Sequence, residues 1–196
     1  MRFPPPTLLI VGFQYQDDAE KFLGELRGRL AKFALELHPD KTRLIEFGPR
    51  AARHRKARGE GKPETFTFLG FRHIARMNRQ GRFWVQRITD KKKMTAKLKS
   101  VKAELMKRRH LPVPEQGRWL ASVIRGHEAY YAVPGNAEAV QAFRYHVTRH
   151  WRFALSRRSQ KGRVTWERMS RLARRYLPTT RIRHPWPEAR FAARYP

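Results

Sequence analysis

The spacing of hydrophobic positions changes twice along the chain. Leu8-Leu9-Ile10-Val11 is a continuous apolar run of strand length, the pattern of a strand buried on both faces. Beyond Asp17 and Asp18, Phe22, Leu26, Leu30, Phe33 and Leu37 recur three or four residues apart, which predicts a helix to about Leu37. Either aspartate suits the N-cap, where a carboxylate accepts first-turn N–H groups and faces the positive end of the helix dipole. His38-Pro39-Asp40 ends the helix, because proline lacks a donor and restricts the residue before it. Thr42 to Phe47 is a second strand, and Pro49 to Lys62, rich in Arg, Ala and Gly without periodicity, is a basic loop. Thr65 to Ile74 alternates aromatics, as in a half-buried strand kinked at Gly70; Asn78-Arg79-Gln80-Gly81 turns the chain and Phe83 to Ile88 returns.

From Asp90 onward the period is helical. Met94, Leu98, Val101 and Leu105 form one stripe of a helix reaching about Arg109. Pro112 and Pro114 separate it from a helix carrying Trp119, Leu120, Val123 and Ile124, which breaks at Tyr130 to Asn136. A third helix places Val140, Phe143, Val147, Trp151 and Ala154 on one stripe, and Thr165-Trp166 opens a shorter one to about Tyr176. The sequence therefore predicts an α+β protein. Residues 1–89 hold strand, helix, strand and hairpin; residues 90–178 form an all-α basic bundle; residues 179–196 are an extended, proline-broken tail.

Charge adds a direction to this layout. The chain carries 44 Lys and Arg against 16 Asp and Glu, a net of +28. Residues 1–48 contain seven of each sign, so the whole excess follows Gly48. A solvated surface normally keeps net charge to roughly 2–8 for a small domain. An excess this large repels itself unless a polyanion neutralises it, and a nucleic acid is the expected partner. Cysteine is absent, which excludes disulfides and thiolate metal sites. No apolar run reaches membrane-spanning length, and Pro4-Pro5-Pro6 with the acidic pair beyond does not fit a signal peptide. A cytoplasmic setting with no membrane partner is expected.

Several strings occur in one order: Leu35-Glu36-Leu37-His38-Pro39-Asp40-Lys41-Thr42, then Thr65-Phe66-Thr67-Phe68-Leu69-Gly70-Phe71, then Gly126-His127-Glu128-Ala129-Tyr130-Tyr131 and Arg157-Arg158-Ser159-Gln160. Together, over about residues 8–190, they resemble the C-terminal half of a bacterial group II intron-encoded reverse transcriptase and maturase. The resemblance implies a palm remnant over residues 1–89. Phe68, Leu69, Gly70 and Phe71 would sit in a primer-grip-like hairpin, and the helices would correspond to the thumb and the maturase-specific domain X. Tyr15-Gln16-Asp17-Asp18 fits the Tyr-x-Asp-Asp pattern of reverse-transcriptase active sites, whose aspartates sit at a hairpin tip and hold Mg²⁺. Here a helical pattern follows the pair. In the family's register the aspartates belong near Thr7 and Leu8, where no carboxylate stands. The expectation is a truncated family member with no catalytic residue, metal or cofactor of its own, Mg²⁺ belonging to an intact parent polymerase.

The implied activity is binding of structured RNA, group II intron RNA in particular, to assist splicing. The alternatives are a thumb-bearing half of an RNA-directed DNA polymerase completed by a separate N-terminal fragment, or a non-functional mobile-element remnant. Candidate RNA contacts begin with a ridge of Lys91, Lys92, Lys93, Lys99, Lys102 and Arg109, facing away from the apolar stripe and offset within 91–109 by Glu104 alone. Arg157, Arg158, Lys161 and Arg163 cluster at a helix end, where guanidinium forks can bracket phosphates. Arg168 and Arg171, with Arg174 and Arg175, make a second patch. Tyr130, Tyr131 and Trp166 are candidate stacking surfaces for unpaired bases, the two tyrosines being equally candidates for the core. His110, His127, His146, His150 and His184 lack metal-ligand spacing.

Overall fold

The computed structural model describes residues 9–78, 80–159, 162–187 and 189, and the chain divides into two units, Met1–Glu64 and Thr65–Pro196. In the first, helix α1 spans Gln16–Ala31. Its N-cap is Tyr15, so Asp17 and Asp18 lie within the first turn and neither makes a capping hydrogen bond; their contribution is to the dipole. The helix stops short of Leu37. Ala34 takes a left-handed φ of 54°, and the Leu35 N–H closes back on the Leu30 carbonyl at 3.1 Å. No residue of α1 is buried, and Phe33 and Leu35 beyond it are exposed, so packing gives little support to a longer helix.

The two strands expected in this unit do not form. Leu9 to Phe13 and Thr42 to Phe47 carry no strand pairing, and Leu9, Ile10, Val11 and Phe13 are exposed; Leu8 lies outside the described residues. An apolar run becomes a strand only when a neighbour takes up its backbone N–H and C=O groups, and no described segment supplies one. Conversely, the expected basic loop contains a short helix, α2, over Ala51–Ala57. Ala, Arg and Lys are strong helix formers. Acidic side chains meet its basic ones: His54 Nδ1 lies 3.2 Å from Glu46, Arg55 pairs with Glu60 at 3.2 Å, and Arg58 pairs with both glutamates.

The second unit opens with a three-stranded antiparallel meander, β1 (Phe66–Phe68), β2 (Phe71–Met77) and β3 (Phe83–Thr89). The expected single strand kinked at Gly70 is instead two strands. Phe68 pairs with Phe71, and Leu69 and Gly70, at φ of 49° and 77°, make the two-residue turn between them. Asn78 organises the next turn, its Oδ1 accepting from the N–H groups of Gln80 and Arg82. Asp90 then caps α3 (Lys91–Lys107), accepting from the Lys93 N–H at 2.9 Å.

Helices α4 (Val113–Tyr131), α5 (Ala137–Ser156) and α6 (Trp166–Tyr176) complete the bundle. The expected stripes make the core: Val101 and Leu105 of α3 pack with Leu120 and Ile124 of α4, Phe143, Val147, Trp151 and Ala154 of α5, and Met169 of α6. Each large side chain buried this fully stabilises the fold by roughly 1.5–3 kcal/mol. Helix α5 touches α3, α4 and α6 and is the central member. The sheet belongs with the helices, because hydrogen bonds cross the expected boundary at residue 89. Asp90 N–H donates to the Gly70 carbonyl at 2.9 Å, Thr89 N–H to Asn136 Oδ1 at 2.9 Å, and Asn136 Nδ2 to Thr89 Oγ1 at 2.8 Å. The tail returns along α4. The N–H groups of Arg183 and His184 donate to the Ala132 carbonyl, and Trp186 meets Trp84 of β3 edge-on at 5.6 Å.

Candidate nucleic-acid interface

Helix α5 buries one stripe in the core and turns the opposite one to solvent. Arg149 lies near the middle of that outer stripe, since residues 145, 152, 153 and 156 surround it at helical spacing. Toward α3, Phe153 is a half-exposed ring shared by two cations: Lys102 Nζ is 5.1 Å and the Arg157 guanidinium 5.3 Å from its centroid. His150 lies on the same flank. Burial, then the charges of Lys102, Arg149 and His146, hold its pKa below the ordinary histidine value. Toward α6, the Arg152 guanidinium lies 4.5 Å from the Trp166 ring, and Tyr145 stacks on that ring at 6.0 Å and 8°.

This face is positive because cations outnumber carboxylates around it: three glutamates of the neighbouring helices are engaged elsewhere, and Glu138 stands at the far, N-terminal end of α5. Thr65 to Pro196 contain thirty-one Lys and Arg against seven Asp and Glu. Glu104 pairs with Arg108 at 2.7 Å, Glu128 with Arg183 at 3.0 Å and Glu167 with Arg171 at 3.6 Å. Among the described residues no carboxylate pairs with Lys102, Arg149, Arg152 or Arg157.

The structure sorts the expected contact residues into several places. The α3 lysines do not form one ridge. Lys102 faces α5, while Lys93 on the other flank joins Lys97, Met94, His127 and Tyr131 around an open groove of about 490 Å³. Lys91, Lys92 and Lys99 are exposed, and the Arg109 Nε–H donates to His110 at 2.9 Å. Arg157 joins the α5 face but its neighbour does not: Arg158 donates to the Leu111 carbonyl and ties the end of α5 to the α3–α4 loop. Arg163 is exposed, Lys161 lies outside the described residues, and Arg168 and Arg171 are exposed on α6.

Tyr130 and Tyr131 hold the hairpin to α4. Tyr130 Oη donates to the Leu69 carbonyl at 2.7 Å, and both rings meet buried Phe71, at 5.6 and 5.1 Å. A Cβ on Gly70 would lie 2.7 Å from Tyr131 Oη, so a larger residue there would have to displace the phenol, and the φ of 77° favours glycine besides. Burial, then Tyr130 and Asp90, push the Tyr131 phenol pKa up. Of the primer-grip-like residues, Leu69 is exposed at the turn, while Phe71 is the buried anchor.

Sequence reasoning missed four residues that organise this unit. Gln116 and Glu128 are fully buried; Asn136 joins β3 to α4, its Nδ2 also donating to the Tyr131 carbonyl at 2.7 Å. Tyr145 escapes because it lies off the apolar stripe; its spacing of four from Arg149 and seven from Arg152 is the available signal. The spacing of His127 says only that it is unfit for a metal. In the fold it is stacked between Phe143 at 3.7 Å and Tyr131 at 4.6 Å, and burial, then Lys97, push its pKa down to about 4.

Asp17 and Asp18 sit on a helix and not at a hairpin tip, an arrangement that does not fit the paired-carboxylate Mg²⁺ site of a polymerase. Among the described residues no group of three His, Cys, Asp or Glu could hold a metal ion, and no helix is long and apolar enough to cross a membrane. The chain matches no protein-family model, no curated protein and no solved structure.

Proposed function

We propose that the unit from Thr65 onward binds structured RNA and serves as a maturase-like module for a group II intron, stabilising the folded intron while the RNA performs the splicing chemistry. The observation that carries the binding half is the outer face of α5, where Lys102, Arg149, Arg152 and Arg157 gather without acidic partners among the described residues. Cations fixed in that way exchange condensed counterions for protein contacts when a phosphate backbone arrives. Arginines dominate the face, and their planar forks suit phosphate oxygens better than ammonium groups do. Structured RNA is favoured over B-DNA because exposed aromatics accompany the cations, a combination suited to unpaired bases beside helical segments. The intron-specific half rests on the order of the sequence strings from His38-Pro39-Asp40 to Arg157-Arg158.

The test is a gel-shift titration of the full chain against a group II intron RNA and against random duplex DNA of equal length at matched salt. The expected result is at least tenfold tighter binding of the intron, together with faster intron splicing at limiting Mg²⁺. Equal affinity for both would leave a generic polyanion binder and remove the maturase reading.

A further inference from the structure

On the α6 side of that face, three side chains form a column that the core does not need. Tyr145 and Arg152 are seven residues apart on α5, which separates their backbones by about 10 Å along the axis. Trp166 of α6 is 6.0 Å from the Tyr145 ring and 4.5 Å from the Arg152 guanidinium, so it contacts both. The Tyr145 and Trp166 rings are within 8° of parallel. Both remain open to solvent, Tyr145 at 53% and Trp166 at 41% exposure. Arg152 is also fixed from behind, its Nη1 donating to the Val164 carbonyl at 3.1 Å, and Thr165 caps α6 directly before Trp166.

An exposed aromatic pair usually costs solubility unless something covers it, and here the surroundings specify the cover. Arg149 lies one turn from Tyr145 on the same face of α5 and is exposed, and the Arg152 guanidinium flanks Trp166. The site therefore offers a flat, rigid π-surface bordered by cations, with chemistry complementary to a nucleobase and its phosphates. An apolar protein partner would meet buried cations without counter-charges, which is costly.

We propose that Tyr145 stacks an unpaired base of the bound RNA, with Trp166 and Arg152 holding its ring in position. The inference rests on the RNA-binding reading above and adds to it a division of labour. The cations on the Phe153 side hold backbone and set the salt dependence, whereas the column selects a flexible, single-stranded element such as a loop or bulge.

The experiment compares a stem-loop RNA, the same stem-loop with abasic loop positions, and a fully paired RNA of equal length, each titrated with the full chain. Wild-type protein is expected to bind the intact loop at least about fivefold more tightly than the abasic loop, the smaller end of what one stacked base contributes. Tyr145→Ser should abolish that difference and leave paired-RNA affinity and the salt slope unchanged, while Tyr145→Phe should preserve it. Trp166→Phe should lie between the two. Equal binding of intact and abasic loops by the wild-type chain would overturn the stacking site and leave the RNA-binding reading intact. Failure of the wild-type chain to bind any of the three RNAs would remove both. A loss shared equally by loop and paired RNA in Tyr145→Ser would assign Tyr145 to the fold.

Discussion

The indole N–H of Trp151 donates to Gln116 Oε1 at 2.8 Å in the middle of the bundle, where both side chains are fully buried. The amide nitrogen of the same glutamine donates to the Arg108 carbonyl at 2.7 Å and the Arg109 carbonyl at 3.1 Å, closing the open end of α3. One polar side chain thus satisfies the core tryptophan and terminates a neighbouring helix. Gln116→Leu keeps the volume but strands the indole N–H and the α3 carbonyls, at about 1–3 kcal/mol for each group that water cannot reach. Urea unfolding should show a loss of about 3 kcal/mol, and Trp151→Phe should cost less in the Gln116→Leu background than in the wild type, because the stranded donor goes with the indole.

Glu128 and Arg183 give a second test, of the tail. Arg183 Nε and Nη2 both donate to Glu128 Oε2, at 3.2 and 3.0 Å, while the glutamate is fully buried and the arginine half exposed. Arg183→Met leaves a buried carboxylate without its cation and should lower stability by about 3 kcal/mol. The double variant Glu128→Gln, Arg183→Met should be more stable than the single, because the uncompensated charge is gone. A double variant no better than Arg183→Met would show that the tail is held by its backbone bonds to Ala132.

How much of this is legible in the sequence follows from what each element depends on. The helical stripes of α3 to α6 are legible because a 3.6-residue period reports burial directly; Phe143, Val147 and Trp151 all lie in the core. The N-terminal strands mislead because Leu9 to Val11 supply the apolar half of a strand but not the neighbour that completes it. The hairpin at Leu69-Gly70 is hidden because leucine at positive φ gives no turn signal; docking by Tyr130 supports it there. At the site, Arg157 and Arg158 read identically, yet one meets an exposed ring and the other a loop carbonyl. Net charge is visible from the chain; which cations remain without acid partners depends on tertiary contacts.

His127 makes stability depend on pH. Its folded pKa, about 4, lies below the ordinary value of 6.5, so between those limits the unfolded chain binds more protons. Stability is therefore lost as the pH falls from about 6.5. From pH 6.5 to 5, above the range where most carboxylates titrate, the loss from this group should be about 1–2 kcal/mol by urea unfolding. His127→Phe, which keeps an aromatic between Phe143 and Tyr131, should flatten that slope. An unchanged slope would assign the pH dependence to His73 and His150, both of which burial also holds low.

The α5 face makes its own prediction through salt and protons together. Replacing Lys102, Arg149 and Arg157 by Gln removes three cations without touching the core, so melting should be nearly unchanged. The slope of log affinity for RNA against log salt should become shallower by about 2, at roughly 0.7–0.9 for each phosphate the protein no longer neutralises. Arg43→Gln, in the first unit, should leave the slope as it was. His150 reports the same event independently. Burial first, then Lys102, Arg149 and His146, hold its pKa low in the free protein, and a bound phosphate beside those cations offsets their charge and raises it. RNA binding should then take up a proton on the acid side of the ordinary histidine value of 6.5, and affinity should rise as the pH falls through that range. A His150 ring resonance whose titration midpoint moves upward on adding RNA would place the polyanion on this face. An unmoved midpoint, with an unchanged salt slope in the triple variant, would place it elsewhere.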